Sequence, residues 1–127
     1  MVHKVLIEES AHTDIEIIIV WIDMRAGDNE ETAIHASKIF QGDQILQFHD
    51  PNKLVGKIIA ESLGASNAFA WDTYLFYDKG NEWKERAPAP LDWAHQLDDL
   101  WADTNHFAWD DELIVRLRKI ANNLTNN

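Results

Sequence analysis

The chain alternates between short, strongly apolar runs and longer stretches whose apolar positions recur with helical spacing. Ile15 to Ile22 reads Ile-Glu-Ile-Ile-Ile-Val-Trp-Ile. Such a β-branched run predicts a strand covered on both faces, the habit of a central parallel strand. Asp23-Met24-Arg25 ends it and Gly27 opens a turn. Asp28 and Glu31 then stand at capping-box spacing, and Ala33, Ile34, Ser37 and Phe40 form a modest stripe, so a helix is expected. Ile45 to Phe48 predicts a short strand. Asp50-Pro51 is a helix start, with Asp as N-cap and Pro at the first helical position. Leu54, Val55, Ile58, Ile59 and Leu63 follow at helical spacing, and Gly64 is suited to the left-handed residue that closes a helix.

Phe69 to Tyr77 predicts a further strand. Phe69, Trp71, Thr73, Leu75 and Tyr77 lie on one side of it, and Ala70, Asp72, Tyr74 and Phe76 on the other. Asp78-Lys79-Gly80-Asn81 is turn chemistry, from which Glu82 to Arg86 can return as the edge strand of a hairpin before Pro88 and Pro90 stop it. Leu91 to Ala102 is expected to be helical. So is Asp110 to Leu124, capped by Asp110, stapled by Trp109 and Ile114, and basic toward its end. Met1 to Thr13 reads as a short helix without the basic start and apolar core of a signal peptide. Alternation followed by a hairpin predicts an α/β fold with a mixed sheet flanked by helices.

Composition narrows the function classes. The chain has 127 residues, 46% apolar and 26% charged, with no Pro, Gly or Ser tract to divide it. A single domain over 1–127 is expected, with a core at about 15–86 and a C-terminal helical extension at about 91–124. Acids outnumber bases 22 to 11, a formal charge of −11. That balance argues against nucleic acid and anionic membrane, which need clustered Lys and Arg. No apolar run approaches the ~20 residues of a membrane span. Cysteine is absent, which excludes disulfides, thiolate metal sites and cysteine nucleophiles from this chain. Together with the missing signal peptide, this predicts a cytoplasmic location.

Three segments resemble a thioredoxin-like domain of the thiol-oxidoreductase and peroxiredoxin-related branch. Ile15 to Asp23, ending Val-Trp-Ile-Asp, is similar to the central strand that follows the redox helix. Phe48-His49-Asp50-Pro51 leading into Leu54 to Leu63 resembles the strand, Asp-Pro turn and helix inserted in that branch. Trp71 to Gly80 resembles the later strand and its Asp- and Gly-containing turn. The likeness covers a little over half the chain and implies a thioredoxin-like sheet. The family's Cys-x-x-Cys is missing, as are its first strand and the cis-Pro that would fall near Asp72, so this chain carries no thiol–disulfide exchange. The resemblance leaves two readings. One is a non-redox binding or protein-interaction module, with an uncovered sheet edge that a second subunit could cover. The other is a shortened thiol oxidoreductase or peroxidase-related protein whose cysteines lie upstream of Met1.

The same resemblance gathers Trp21, Asp23, Arg25, Trp71 and Asp72 at the former active-site edge. Two acids, a guanidinium and two indoles there could receive a polar or cationic ligand, or let Asp23, Arg25 and Asp72 act as a metal-independent enzyme. The competing reading packs both indoles in the core and pairs Asp23 with Arg25 on the surface. His49-Asp50 could edge an acid–base or metal site, or simply form a turn. His3, His12, His35, His95 and His106 fall at no metal-ligand spacing, and no nucleophile elbow or phosphate-binding glycine loop occurs. No catalytic residue, metal or cofactor is assigned. Ala87 to Val115 holds seven acids and no Lys or Arg, with Trp93, Trp101 and Trp109 among them. That suits a basic protein partner or a second subunit, or else a solvated acidic face with its indoles turned inward. Eight-residue spacing turns ~80° beyond whole helical turns, so the three indoles share no helix face.

Overall fold

The computed structural model describes residues 7–9 and 13–125. It is mixed α/β: β1 (Ile17–Ile22), α1 (Glu30–Ser37), β2 (Ile45–Asp50), α2 (Leu54–Ser62), β3 (Thr73–Phe76), β4 (Asp92–His95), a 3-10 turn (Thr104–His106) and α3 (Asp110–Thr125). Residues 7–9 are helical as expected, while the rest of the Met1–Thr13 helix, apart from Thr13 itself, lies outside the described residues. None of the described helices is long and apolar enough to cross a membrane.

The strands form two separate two-stranded sheets where one mixed sheet was expected. β1 and β2 pair in parallel, with Ile18 opposite Leu46 and Trp21 opposite His49. Helix α1 crosses between them. Its N-terminus is closed by a reciprocal capping box one residue later than expected: Asn29 Oδ1 accepts from Thr32 N–H and Thr32 Oγ1 accepts from Asn29 N–H, both at 2.9 Å. Asp28 is drawn elsewhere, its Oδ2 accepting from Met24 N–H at 3.0 Å and Arg25 N–H at 2.7 Å. The loop amides therefore win the carboxylate, and the next residue caps. Beyond the helix, buried Phe40 meets the Trp21 ring at 5.9 Å, and the Gln47 amide donates to Ser37 O and Phe40 O while its oxygen accepts from Trp21 Nε1.

The opposite face of this sheet is only half covered. Its upper end carries α2, which approaches so closely that a Cβ on Gly56 would collide with Ile22 Cδ1 and come within 3.0 Å of Ala70 O. Lower down, Ile18, Leu46 and Phe48 are 63%, 55% and 55% exposed. The doubly covered strand predicted by the β-branched run is thus covered on one face and open on part of the other. Helix α2 ends as expected: Gly64 has φ +91°, its N–H bonds Glu61 O, and Ala65 N–H bonds Ala60 O.

The second sheet corrects the hairpin. The strand expected at Phe69–Tyr77 shrinks to Thr73–Phe76, because Asp72 takes φ +46° and breaks the extended run. The Asp78 turn forms, yet Glu82–Arg86 contains no strand. β3 pairs antiparallel with Asp92–His95, inside the segment expected to be helical at Leu91–Ala102. Pro88 and Pro90 carry no backbone N–H and cannot donate to a ladder, so pairing starts just beyond them, where Leu91 N–H reaches Phe76 O at 2.7 Å.

β3 divides two cores as its alternation predicts. Tyr74 and Phe76 pack on Ala94, Ala108, Leu113 and Leu117, while Leu75 joins Ile59, Ala60 and Ala70. Helix α3 therefore contributes Leu113 and Leu117 to a core cluster. Trp109, expected to staple onto Ile114, is largely exposed.

Both tyrosines of the chain flank this division. Burial pushes the Tyr74 phenol above its ordinary range, helped by the nearby Asp72 charge and opposed by a Gln96 hydrogen bond. Burial alone raises Tyr77. The folded state therefore holds both protonated beyond the ~10 of a free phenol. The resulting stability is complete below that unfolded value and is lost as pH rises through the raised folded values. Ultraviolet titration should show tyrosinate appearing above the free-phenol midpoint and together with loss of near-UV circular dichroism; a midpoint at or below that of free tyrosine contradicts the packing.

Candidate functional site

Ligands of open α/β sheets gather outside the carboxyl ends of parallel strands, and here that end is built by Asp50. This last residue of β2 is 5% exposed. Its Oδ1 accepts from Leu54 N–H at 2.8 Å, and its Oδ2 from Val55 and Gly56 N–H at 2.9 and 3.2 Å. Asp50 caps α2 as the sequence predicts, but from further upstream, because Pro51-Asn52-Lys53 forms a turn before the helix and Lys53, at φ +61°, becomes the residue at the cap position. The Asp50 carbonyl also accepts from Asp23 N–H at 3.3 Å, which extends the parallel ladder past β1.

Of the five residues expected to share a pocket, Arg25 and Trp71 meet, while Trp21, Asp23 and Asp72 have partners elsewhere. Trp21 lies against Phe40 and Gln47 on the α1 face. Asp23 does not pair with Arg25: its Oδ1 is 2.8 Å from His49 Nε2, and both side chains are about one-fifth exposed. His49 is thus more than a turn residue, since it ties the ends of β1 and β2. Two residues beyond Asp23, the Arg25 guanidinium lies over the Trp71 ring, 5.3 Å from its centroid. These two members of the expected set are in contact. Asp72 turns toward the other sheet, where its carbonyl accepts from Gln96 N–H at 3.1 Å and its charge acts on Tyr74.

Sequence reasoning missed two members of this end. Lys53 Nζ stands over the Phe69 ring at 5.6 Å from the centroid. Phe69 and Trp71 flank Ala70, whose N–H bonds Gly56 O at 2.9 Å, so one short segment anchored on α2 presents two aromatic faces, each topped by a cation. The signal lay in the alternation of Phe69, Ala70 and Trp71, which the strand expectation absorbed.

The remaining candidates serve the fold. His95 is fully buried and satisfied at both nitrogens: Leu97 N–H donates to Nδ1 at 3.0 Å, so Nε2 carries the proton and donates to Asp103 O at 2.7 Å. His106 stacks on Trp93 at 4.4 Å, with Nδ1 2.8 Å from the Trp93 carbonyl. No group of His, Cys, Asp or Glu among the described residues could hold a metal ion. Several acids of the 87–115 stretch have local duties. Asp92 accepts from Trp93 N–H, Asp103 accepts from Asn105 N–H, and Asp110, Asp111 and Glu112 occupy the first turn of α3. An open hollow of about 530 Å³ lined by Glu82, Lys84, Glu85, Arg86, Ala87 and Pro88 holds no converging polar groups beyond this mixed-charge loop.

Comparison with family models, curated proteins and solved structures returns no match.

Because Asp50 fixes the strand end, the loop and the helix at once, its loss should be felt at all three. Asp50→Ala leaves three amides without their acceptor and is expected to cost about 2 kcal/mol, the upper end for a lost cap. Urea unfolding measures it. A loss below ~0.5 kcal/mol would show that the cap is dispensable.

Proposed function

We propose that this chain is a non-redox, thioredoxin-like interaction module that associates with a second copy of itself through the β1–β2 sheet. The observation that carries the reading is the half-covered face. Ile18, Leu46 and Phe48 are exposed side by side, with Ile18 opposite Leu46 and Phe48 opposite Val20 in the parallel register. Clustered exposed apolar side chains mark an interaction surface, whereas scattered ones need no explanation. Neither strand has a second neighbour among the described residues, so both edges also offer unpaired backbone groups.

Support for the thioredoxin-like part comes from the segments that carry the likeness. Ile15–Asp23 contains β1, and Phe48–Leu63 contains the end of β2, an Asp50-capped turn and α2. Support for the second copy is chemical. The patch itself is uncharged, so a partner with the same patch meets it without an unpaired charge at the centre of contact. Three side chains make a small contact, and association of this size is weak.

Sedimentation velocity from low to high micromolar concentration tests the reading. The native chain should shift from monomer to dimer across that range, and Phe48→Glu should hold it monomeric with an unchanged melting temperature. A monomer at all micromolar concentrations overturns self-association, and a dimer that survives Phe48→Glu places the contact elsewhere.

A further inference from the structure

Beyond self-association, and independently of it, the geometry points to an anion site at the carboxyl ends of β1 and β2: Arg25 on Trp71 and Lys53 on Phe69 receive a compact oxyanion of charge two, as a phosphomonoester carries. The chain has twice as many acids as bases, yet neither Arg25 nor Lys53 has a carboxylate partner among the described residues. Each is held instead over an aromatic ring, at 5.3 and 5.6 Å from the centroid. A ring face steadies a cation without neutralising it, leaving its N–H groups free for an anion.

Three of the acids that could quench these cations are engaged. Asp23 faces His49, Asp28 accepts two loop amides, and Asp50 accepts three helix amides. Asp72, next to Trp71, is exposed, and its charge is felt at Tyr74. Asp50 also occupies the α2 amides that would otherwise attract the anion, so the site rests on the two side chains alone. Their platforms are fixed. Phe69 and Trp71 straddle buried Ala70, which is bonded to Gly56, and Lys53, Asn67 and Asp72 hold positive φ values of 61°, 58° and 46° around it. Strained non-glycine residues persist where surrounding structure over-determines them, and they concentrate at ligand sites. Arg supplies a planar fork and Lys a point charge, a complementary pair for a phosphate's oxygens.

Inorganic phosphate at constant ionic strength, with chloride as the reference anion, is the probe. The chain has six tryptophans, so the readout is the assigned Trp71 indole N–H and Arg25 Nε–H resonances in ¹H–¹⁵N spectra. Phosphate should shift both saturably. Arg25→Gln and Lys53→Gln should each weaken binding about fivefold, the factor equivalent to ~1 kcal/mol for one exposed charge contact. The double variant should not respond. The charge-conserving pair Arg25→Lys and Lys53→Arg should retain the response, which separates lost charge from lost fold, as should the monomer-directed Phe48→Glu. No saturable shift in the native chain, or a native-like response in the double variant, overturns the site.

Discussion

The Asp50 carboxylate is the constraint on which the rest of the structure depends. An α-helix begins with backbone N–H groups that have no partner within it, and α2 begins beside buried structure where water cannot serve them all. One side chain takes three of these groups, and the same residue's carbonyl receives Asp23 N–H. The strand β2, the end of β1 and the start of α2 therefore share one residue. From that fixed start, α2 brings Gly56 under Ile22 and Ala70, an approach that only a residue without Cβ permits. Ala70 in turn sets Phe69 and Trp71, and these set Lys53 and Arg25. A backbone cap thus positions surface cations through a chain of direct contacts.

The second sheet follows a different logic. β3 is four residues long, too short to be stable through its ladder alone, and it persists because each face packs against a core cluster. Tyr74 and Phe76 need α3, and Leu75 needs α2. β4 supplies the hydrogen bonds and also places His95, whose two nitrogens join Leu97 N–H and Asp103 O and so hold the irregular stretch after the strand. A polar side chain in a fully buried place is costly unless each of its groups is met, and here each is. Of the acids clustered beyond this point, Asp103 caps the 3-10 turn and Asp110, Asp111 and Glu112 occupy the first turn of α3, which explains part of the acidic run by fold alone.

Much of this was legible in the residues, with local signals outperforming pairing. The Asp50 cap, the Gly64 terminator, the β-branched β1 and the two-sided alternation of Tyr74, Leu75 and Phe76 all act through neighbours in sequence, and all appear. The displaced capping box shows the limit: Asp28 and Asn29 were both competent, and only the loop amides at Met24 and Arg25 decided between them. Partners of strands were not legible. Asp92-Trp93-Ala94-His95 carries no β-branched residue, and its extended form comes from the unfilled ladder of β3, a tertiary demand that overrides propensity. At the candidate site, Arg25 and Trp71 were both among the expected residues, and their contact is a cation over a ring. His49 was undervalued because its partner Asp23 lies 26 residues away, and Lys53 was missed because an apolar platform rather than a carboxylate holds it.

The net charge of −11 bears on how such a surface can work. A uniformly negative shell would repel any anion, and at physiological salt the field of each exposed charge fades over about 8 Å. What a ligand meets at the strand ends is therefore set by the nearest groups and not by the total. Three of the acids closest in sequence to Arg25 and Lys53 are already committed: Asp23 to an imidazole, and Asp28 and Asp50 to backbone amides. Each commitment lowers the local negative potential without removing a charge from the count. The same accounting favours the apolar face of β1–β2 as the meeting place for a like-charged copy, because Ile18, Leu46 and Phe48 add no charge at the point of closest approach. On the proposed reading, overall acidity opposes association at long range and short-range contact rests on the hydrophobic patch, so added salt should strengthen the proposed self-association and weaken the proposed phosphate binding. Opposite salt dependences would distinguish the two proposed surfaces on a single molecule.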